Sequence, residues 1–127
     1  EDERANMAYG IDGLFESGPM TLEFEVMMAD RWMAATPALQ AQDYGVTFAY
    51  GLGSLFGARS SQFVLRAEQY DPDTDTDDDE MMALVPSLNL TVSDASRFQL
   101  GIVHQAPSAF GVDASQSFVL MWQVNFF

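Results

Sequence analysis

The chain has no cysteine and no lysine. Without cysteine it can build neither a disulfide framework nor a thiolate site. Without lysine, its positive charge rests on five arginines, Arg4, Arg31, Arg59, Arg66 and Arg97, against 19 acidic residues, for a net charge of −14. Neutralising phosphates requires a basic surface, so this balance argues against nucleic acid as a partner. It argues equally against docking onto an anionic leaflet by charge. Histidine occurs once, as His104, with no second metal ligand at a useful spacing and no Ser/His/Asp arrangement. A structural or interfacial role near a strand end is expected for it. There is no glycine-rich phosphate loop, so nothing points to an enzyme. No stretch approaches the ~20 apolar residues of a membrane helix, so any crossing of a bilayer must use strands. No segment reads as a secretory signal, and the 127 residues read as a mature form or a fragment.

What is present is alternation. In FVLMWQVNFF (118–127), Phe118, Leu120, Trp122, Val124 and Phe126 share one face of an extended strand. Val119, Met121, Gln123 and Asn125 share the other. TLEFEVMMA (21–29) sets Leu22, Phe24, Val26 and Met28 against Thr21, Glu23 and Glu25, and YGVTFAYGL (44–52) sets Tyr44, Val46, Phe48, Tyr50 and Leu52 against small residues. QFVLRAEQY (62–70), MMALVPSLNLTV (81–92) and RFQLGIVHQ (97–105) repeat the pattern, as does MAYGIDGLF (7–15), weakened by Gly10 and Gly13. Pro86 marks an irregularity in its ladder, because proline lacks the amide donor. About seven strands result.

The connections sort by length. ESGP (16–19) and SDAS (93–96) are tight, GSLFGARSS (53–61) is intermediate, and 30–43, 71–80 and 106–116 are long. The 30–43 connection has room for a helical turn. Aromatics gather toward the strand ends: Tyr50, Phe63, Phe98 and Phe126 on the short-turn side, Tyr44 and Phe118 on the long-loop side. Sorted loops, strands of 9–11 residues and aromatic girdles together predict an antiparallel transmembrane β-barrel rather than a soluble sandwich. Seven strands leave an unpaired edge, which lipid does not tolerate. The chain is therefore expected to be the C-terminal segment of a larger barrel, an eight-stranded barrel miscounted by one, or a wall completed by another chain.

Several stretches, taken in order, resemble the C-terminal part of the phosphate-selective porin O and P family. YGIDGLFESGPMTLEFEVM resembles its strand–glycine turn–strand with an inward glutamate, and DYGVTFAYGL its glycine–aromatic strand. FVLRAEQYDPD resembles its arginine–glutamate strand entering an Asp-Pro loop. MMALVPSLNLTVSDASRFQLGIVHQ is similar to its later hairpin and WQVNFF to its closing strand. The resemblance implies roughly the last third of a barrel of about sixteen strands in a Gram-negative outer membrane. It implies passive diffusion of small solutes or ions through a water-filled channel, with outer-membrane lipid as partner and a homotrimer as the common porin assembly. The family's basic clusters have no counterpart here, so anion selectivity is not implied.

The expected pore-lining residues are Glu23, Glu25, Arg66, Glu68, Gln99 and Gln123, either setting the field of a pore or pairing across strands to hold its wall. Phe118, Leu120, Trp122, Val124 and Phe126 form the closing strand. DPDTDTDDDE (71–80) reads as an acidic outer loop. Asp71, Asp73, Asp75 and Asp77 have the alternate spacing of calcium ligands, but the loop glycine and the twelfth-position glutamate are missing, so only loose Ca²⁺ association is expected. Met27, Met28, Met81 and Met82 read as lipid-facing or packing residues. The alternatives are a small eight-stranded barrel with a structural or accessory role and a soluble acidic β-domain that binds calcium or another ligand.

Overall fold

The computed structural model describes residues 7–30, 40–108 and 113–124. These form seven strands: β1 (Met7–Ser17), β2 (Met20–Asp30), β3 (Gln40–Gly53), β4 (Ser60–Asp71), β5 (Met81–Ser93), β6 (Ser96–Pro107) and β7 (Ser115–Val124). They make a single antiparallel sheet in the order β1-β2-β3-β4-β5-β6-β7, a simple meander with β1 and β7 at its edges. Among the described residues there is no helix and no second sheet, so the architecture is all-β and is not a two-layer sandwich.

The strands run longer than the side-chain pattern suggests. Gln40–Asp43, expected in a connection, opens β3, and Ser115–Ser117 opens β7. Of the 30–43 connection, where a helical turn was expected, Asp30 and Gln40–Asp43 are strand, and residues 31–39, like Phe126, lie outside the described residues. The turns at Gly18-Pro19 and Asp94-Ala95 and the 54–59 turn lie at one rim. The ends of β2, β4 and β6 and the starts of β3, β5 and β7 lie at the other.

Register sorts the side chains cleanly. One face carries the large apolar residues, including the row Phe15–Leu22–Phe48–Leu65–Pro86 and the row Met20–Tyr50–Phe63–Leu88–Leu100–Leu120. None of these is sealed in a core. Ile11 is 65 % exposed, Leu120 71 % and Trp122 64 %, and no large side chain among the described residues is fully buried. The buried residues are small: Ala41, Ala49 and Ser87 on the opposite face, Ala58 and Ser61 at the 54–59 turn. No described element packs on this apolar face.

Both rims are staggered. From the row through Met20, the short-turn rim reaches Ser61, two residues further along β4 than Phe63, and Ser96, four further along β6 than Leu100. At the other rim Asp30 stands ten residues from Met20, Asp71 eight from Phe63 and Ser115 five from Leu120. Each rim shifts by about one residue per strand in the same sense. With a rise near 3.3 Å and strands about 4.8 Å apart, that stagger tilts the strands by roughly 35°.

Two local features follow from residue chemistry. The β5–β6 ladder skips Val85 and Pro86, whereas the β4–β5 register runs through them, so the missing proline donor faces β6. Beside the break lies an apolar hollow of about 430 Å³ lined by Phe63, Pro86, Leu100, Ile102, Phe118 and Leu120. Gly13, which weakened β1 on paper, lies opposite Phe24, and a Cβ at Gly13 would collide with the Phe24 ring. The ring covers the strand where the glycine supplies no side chain, as in aromatic rescue.

Candidate functional site

The candidate site is the polar face of the sheet. Glu23, Glu25, Arg66, Glu68, Gln99 and Gln123, chosen from alternation alone, all fall on it. Glu25, Gly45 and Glu68 share one register row and Glu23, Thr47 and Arg66 the next, so the glycine leaves open space between two carboxylates. Asp12, opposite Glu25, extends the acidic row onto β1, and Asp43 lies one register step further toward the long-connection rim. The strands β1 to β4 therefore form an acidic lane. Asp12, Glu16, Glu23, Glu25, Asp43 and Glu68 face a single arginine there, Arg66.

Arg66 does not pair across strands. Its Nε and Nη2 donate to Glu68 Oε2, each at 3.0 Å, two residues along β4. Both side chains are substantially exposed, so the pair adds little stability and mainly cancels the charge of Glu68, leaving Glu23, Glu25 and Asp12 unneutralised by it. The strands β5 to β7 carry amides instead. Asn89 and Gln99 share a row with Met121, while Arg97 donates from Nε to Gln123 Oε1 at 2.7 Å. These residues line a polar hollow of about 140 Å³. The arrangement offers hydrogen-bonding groups along a mostly anionic surface.

Asp12, Asp43 and Arg97 also fall on the polar face. Asp12 and Arg97 lie within stretches that alternate in the sequence, and only Asp43 requires the frame to be carried to the true start of β3. The methionines divide between the faces: Met28 and Met82 lie on the apolar face, whereas Met27 is paired with Gly10 and Asp43, and Met81 with Tyr70, on the polar one.

The fringe of the apolar face is ordered by height. Tyr9, Tyr44 and Phe118 stand two to four residues in from the long-connection rim, and Phe15, Tyr50, Phe63, Phe98 and Trp122 two or three in from the short-turn rim. Gln42, Gln69, His104 and Gln116 form a polar edge beyond the first group. Tyr44 donates its hydroxyl hydrogen bond to Gln42 at 2.6 Å, and His104 Nδ1 lies 3.3 Å from Gln116 Nε2. At the opposite rim Trp122 stacks on Phe98 with centroids 5.8 Å apart, and its Nε1 donates to Ser96 at 2.9 Å. His104 thus has a structural partner at an edge, as its position suggested.

The acidic loop uses its carboxylates internally. Asp71 Oδ1 accepts from the Asp73 amide and Asp73 Oδ1 from the Asp75 amide, while Thr76 donates to Asp73 Oδ2 at 2.7 Å. Among the described residues, no three acidic or histidine side chains converge as a metal site, and Asp71, Asp73, Asp75 and Asp77 do not form one. Asp79 Oδ1 is buried without a hydrogen-bond partner. Burial, then the nearby charges of Asp71, Asp73 and Glu80, hold its carboxyl above its ordinary pKa. Comparison with protein families, characterised proteins and solved structures gives no match.

Proposed function

We propose that these strands form part of the wall of a bacterial outer-membrane porin, a water-filled channel for passive diffusion of small solutes or ions. One observation carries the reading: an antiparallel sheet with an unburied apolar face and a polar opposite face is staggered by about one residue per strand at both rims. Closing a sheet into a barrel requires such a shear, and the roughly 35° tilt falls at the lower end of the range for membrane barrels. On the apolar face, eight residues separate Ser61 from Gln69 and Ser96 from His104. At that tilt the span is roughly 22 Å, close to the ~25 Å apolar band of such barrels. Aromatics flank the band at both levels, and short and long connections lie at opposite rims.

In this reading Glu23, Glu25, Arg66, Glu68, Gln99 and Gln123 line the lumen, joined by Asp12, Asp43 and Arg97. The reading keeps the sequence resemblance to the phosphate-selective porin O and P family, and takes the acidic lane as a departure from it. A soluble acidic domain would have to shield the apolar face, and no described element does so. The test is tryptophan fluorescence in vesicles containing brominated lipids, using a Trp32→Phe background so that Trp122 alone reports. Strong quenching is expected. Full recovery of the chain in a detergent-free aqueous phase, with Trp122 unquenched, would sink the proposal. Planar-bilayer recordings should then give stable open-channel steps from the completed wall.

A further inference from the structure

The polar face changes character near the long-connection rim. The register row Gly10–Met27–Asp43–Tyr70 stands between the acidic row of Asp12, Glu25 and Glu68 and the alanines Ala8, Ala29 and Ala41. A hollow of about 250 Å³ lies here, lined by Ala8, Met27, Ala29, Ala41, Asp43 and Tyr70. The small alanine side chains leave the space, and Met27 and Tyr70 flank Asp43 from the adjacent strands. The carboxylate set among these side chains is incompletely compensated. Asp43 Oδ1 is buried and has no hydrogen-bond partner. Arg66, the arginine of this lane, donates to Glu68 instead. Two residues along β3, roughly 7 Å away, Gly45 leaves open space between Glu25 and Glu68. A Cβ at Gly45 would meet only the Glu25 side chain, at 3.9 Å.

We infer that this hollow binds a small primary ammonium carrying an apolar body, an alkylamine or an arylalkylamine. Other ligand classes fit it poorly. An anion would meet the carboxylates of Asp12, Glu25, Asp43 and Glu68. A neutral apolar solute would fill the space and leave Asp43 Oδ1 without a donor. A metal ion would lack its ligand set, since no three acidic or histidine side chains converge among the described residues. An ammonium group supplies both positive charge and N–H donors, and its apolar body replaces water against Met27, Tyr70 and the alanines. The Tyr70 ring adds a surface that attracts a cation to its face. The volume is below the range for drug-sized ligands, which limits the body to a single ring or a short chain. The site does not depend on the porin reading. In that reading it stands at the long-connection mouth of the lumen, where organic cations would be held on entry.

Methyl NMR tests the site. The whole chain, with isotope-labelled methionine methyls, is refolded in nonionic micelles and titrated at neutral pH with phenethylammonium. A Met27→Leu chain identifies the Met27 resonance. A saturable shift of Met27 is expected, with Met121, on the same face but outside the hollow, unmoved. Phenethyl alcohol keeps the body without the charge, and ethylammonium keeps the head with little body. Each is expected to bind about tenfold more weakly than phenethylammonium. Asp43→Asn should weaken phenethylammonium binding by about tenfold, and Ala29→Phe, which fills the space, should remove the saturable shift. An unchanged Met121 resonance shows that each variant is folded. No saturable shift at Met27, equal binding of either comparator, or undiminished binding by either folded variant overturns the inference. The ligand series on the unsubstituted chain decides the matter even where a variant fails to fold. Brominated-lipid quenching of Trp122 reports separately on membrane location, so failure of this site and failure of the porin reading give different results.

Discussion

Phe56 has a left-handed backbone, with φ of 51°, at a turn where its side chain is 87 % exposed. A Cβ in that region costs about 1 kcal/mol relative to glycine, and no burial offsets it. Phe56→Gly is therefore expected to stabilise the folded chain by about 1 kcal/mol in denaturant titrations in micelles, unless added unfolded-chain entropy cancels the gain. Asp79 gives a pH prediction of definite sign. Its folded pKa lies above the unfolded value, so the folded loop binds the proton more tightly. Stability should rise as pH falls through the raised folded pKa and level off below the unfolded one. Protection factors across 72–80, taken against the intrinsic exchange rate at each pH, should rise on acidification, and Asp79→Asn should raise them at neutral pH and flatten that rise. At this scale alternation was legible wherever polar and apolar types strictly exchange, as at Glu23, Glu25, Arg66 and Glu68. The same frame puts Met27 and Met81 on the polar face, where register has them, although both side chains are apolar.

The seven strands were all readable as elements, since period-two patterning over nine or more residues has no competing helical explanation. Their ends were not readable. Gln40–Asp43 has little apolar content, yet it continues β3 because β2 and then β4 supply its backbone partners. The proline irregularity was legible, but its direction was not; only the neighbouring registers place the missing donor toward β6. Pro86→Val should return that donor while keeping an apolar side chain on the same face. Exchange at Ile102 and Val103 should slow, with stability rising by about 1 kcal/mol if the ladder closes. Unchanged exchange there would mean that the break is set by the close approach of Gly101 to Ser87 instead. A Cβ on Gly101 would lie 3.2 Å from the Ser87 Cβ.

For the whole molecule, the acidic lane makes an electrical prediction. If β1 to β4 face a lumen, replacing Glu23, Glu25 and Glu68 together with glutamine should lower cation preference by roughly twofold in reversal-potential measurements. Arg66 would then be left without its Glu68 partner, which adds to the shift in the same direction. An unchanged reversal potential with normal conductance would remove these residues from the conducting path. The sequence by itself determined that the chain is all-β, where its strands lie, and which residue types share a strand face. Those follow from local geometry, because a strand alternates its side chains whatever surrounds it. Only the tertiary structure decided that all seven strands join one sheet, that both rims shift together, that Asp12 extends the row of Glu25 and Glu68, and that Asp43 falls in the next row. Pairing is non-local, and strand register depends on partners far along the chain. The closing strand is the clearest case: Phe118, Leu120, Trp122 and Val124 alternate on their own account, but their open edge and its direction exist only once β6 has set them in register.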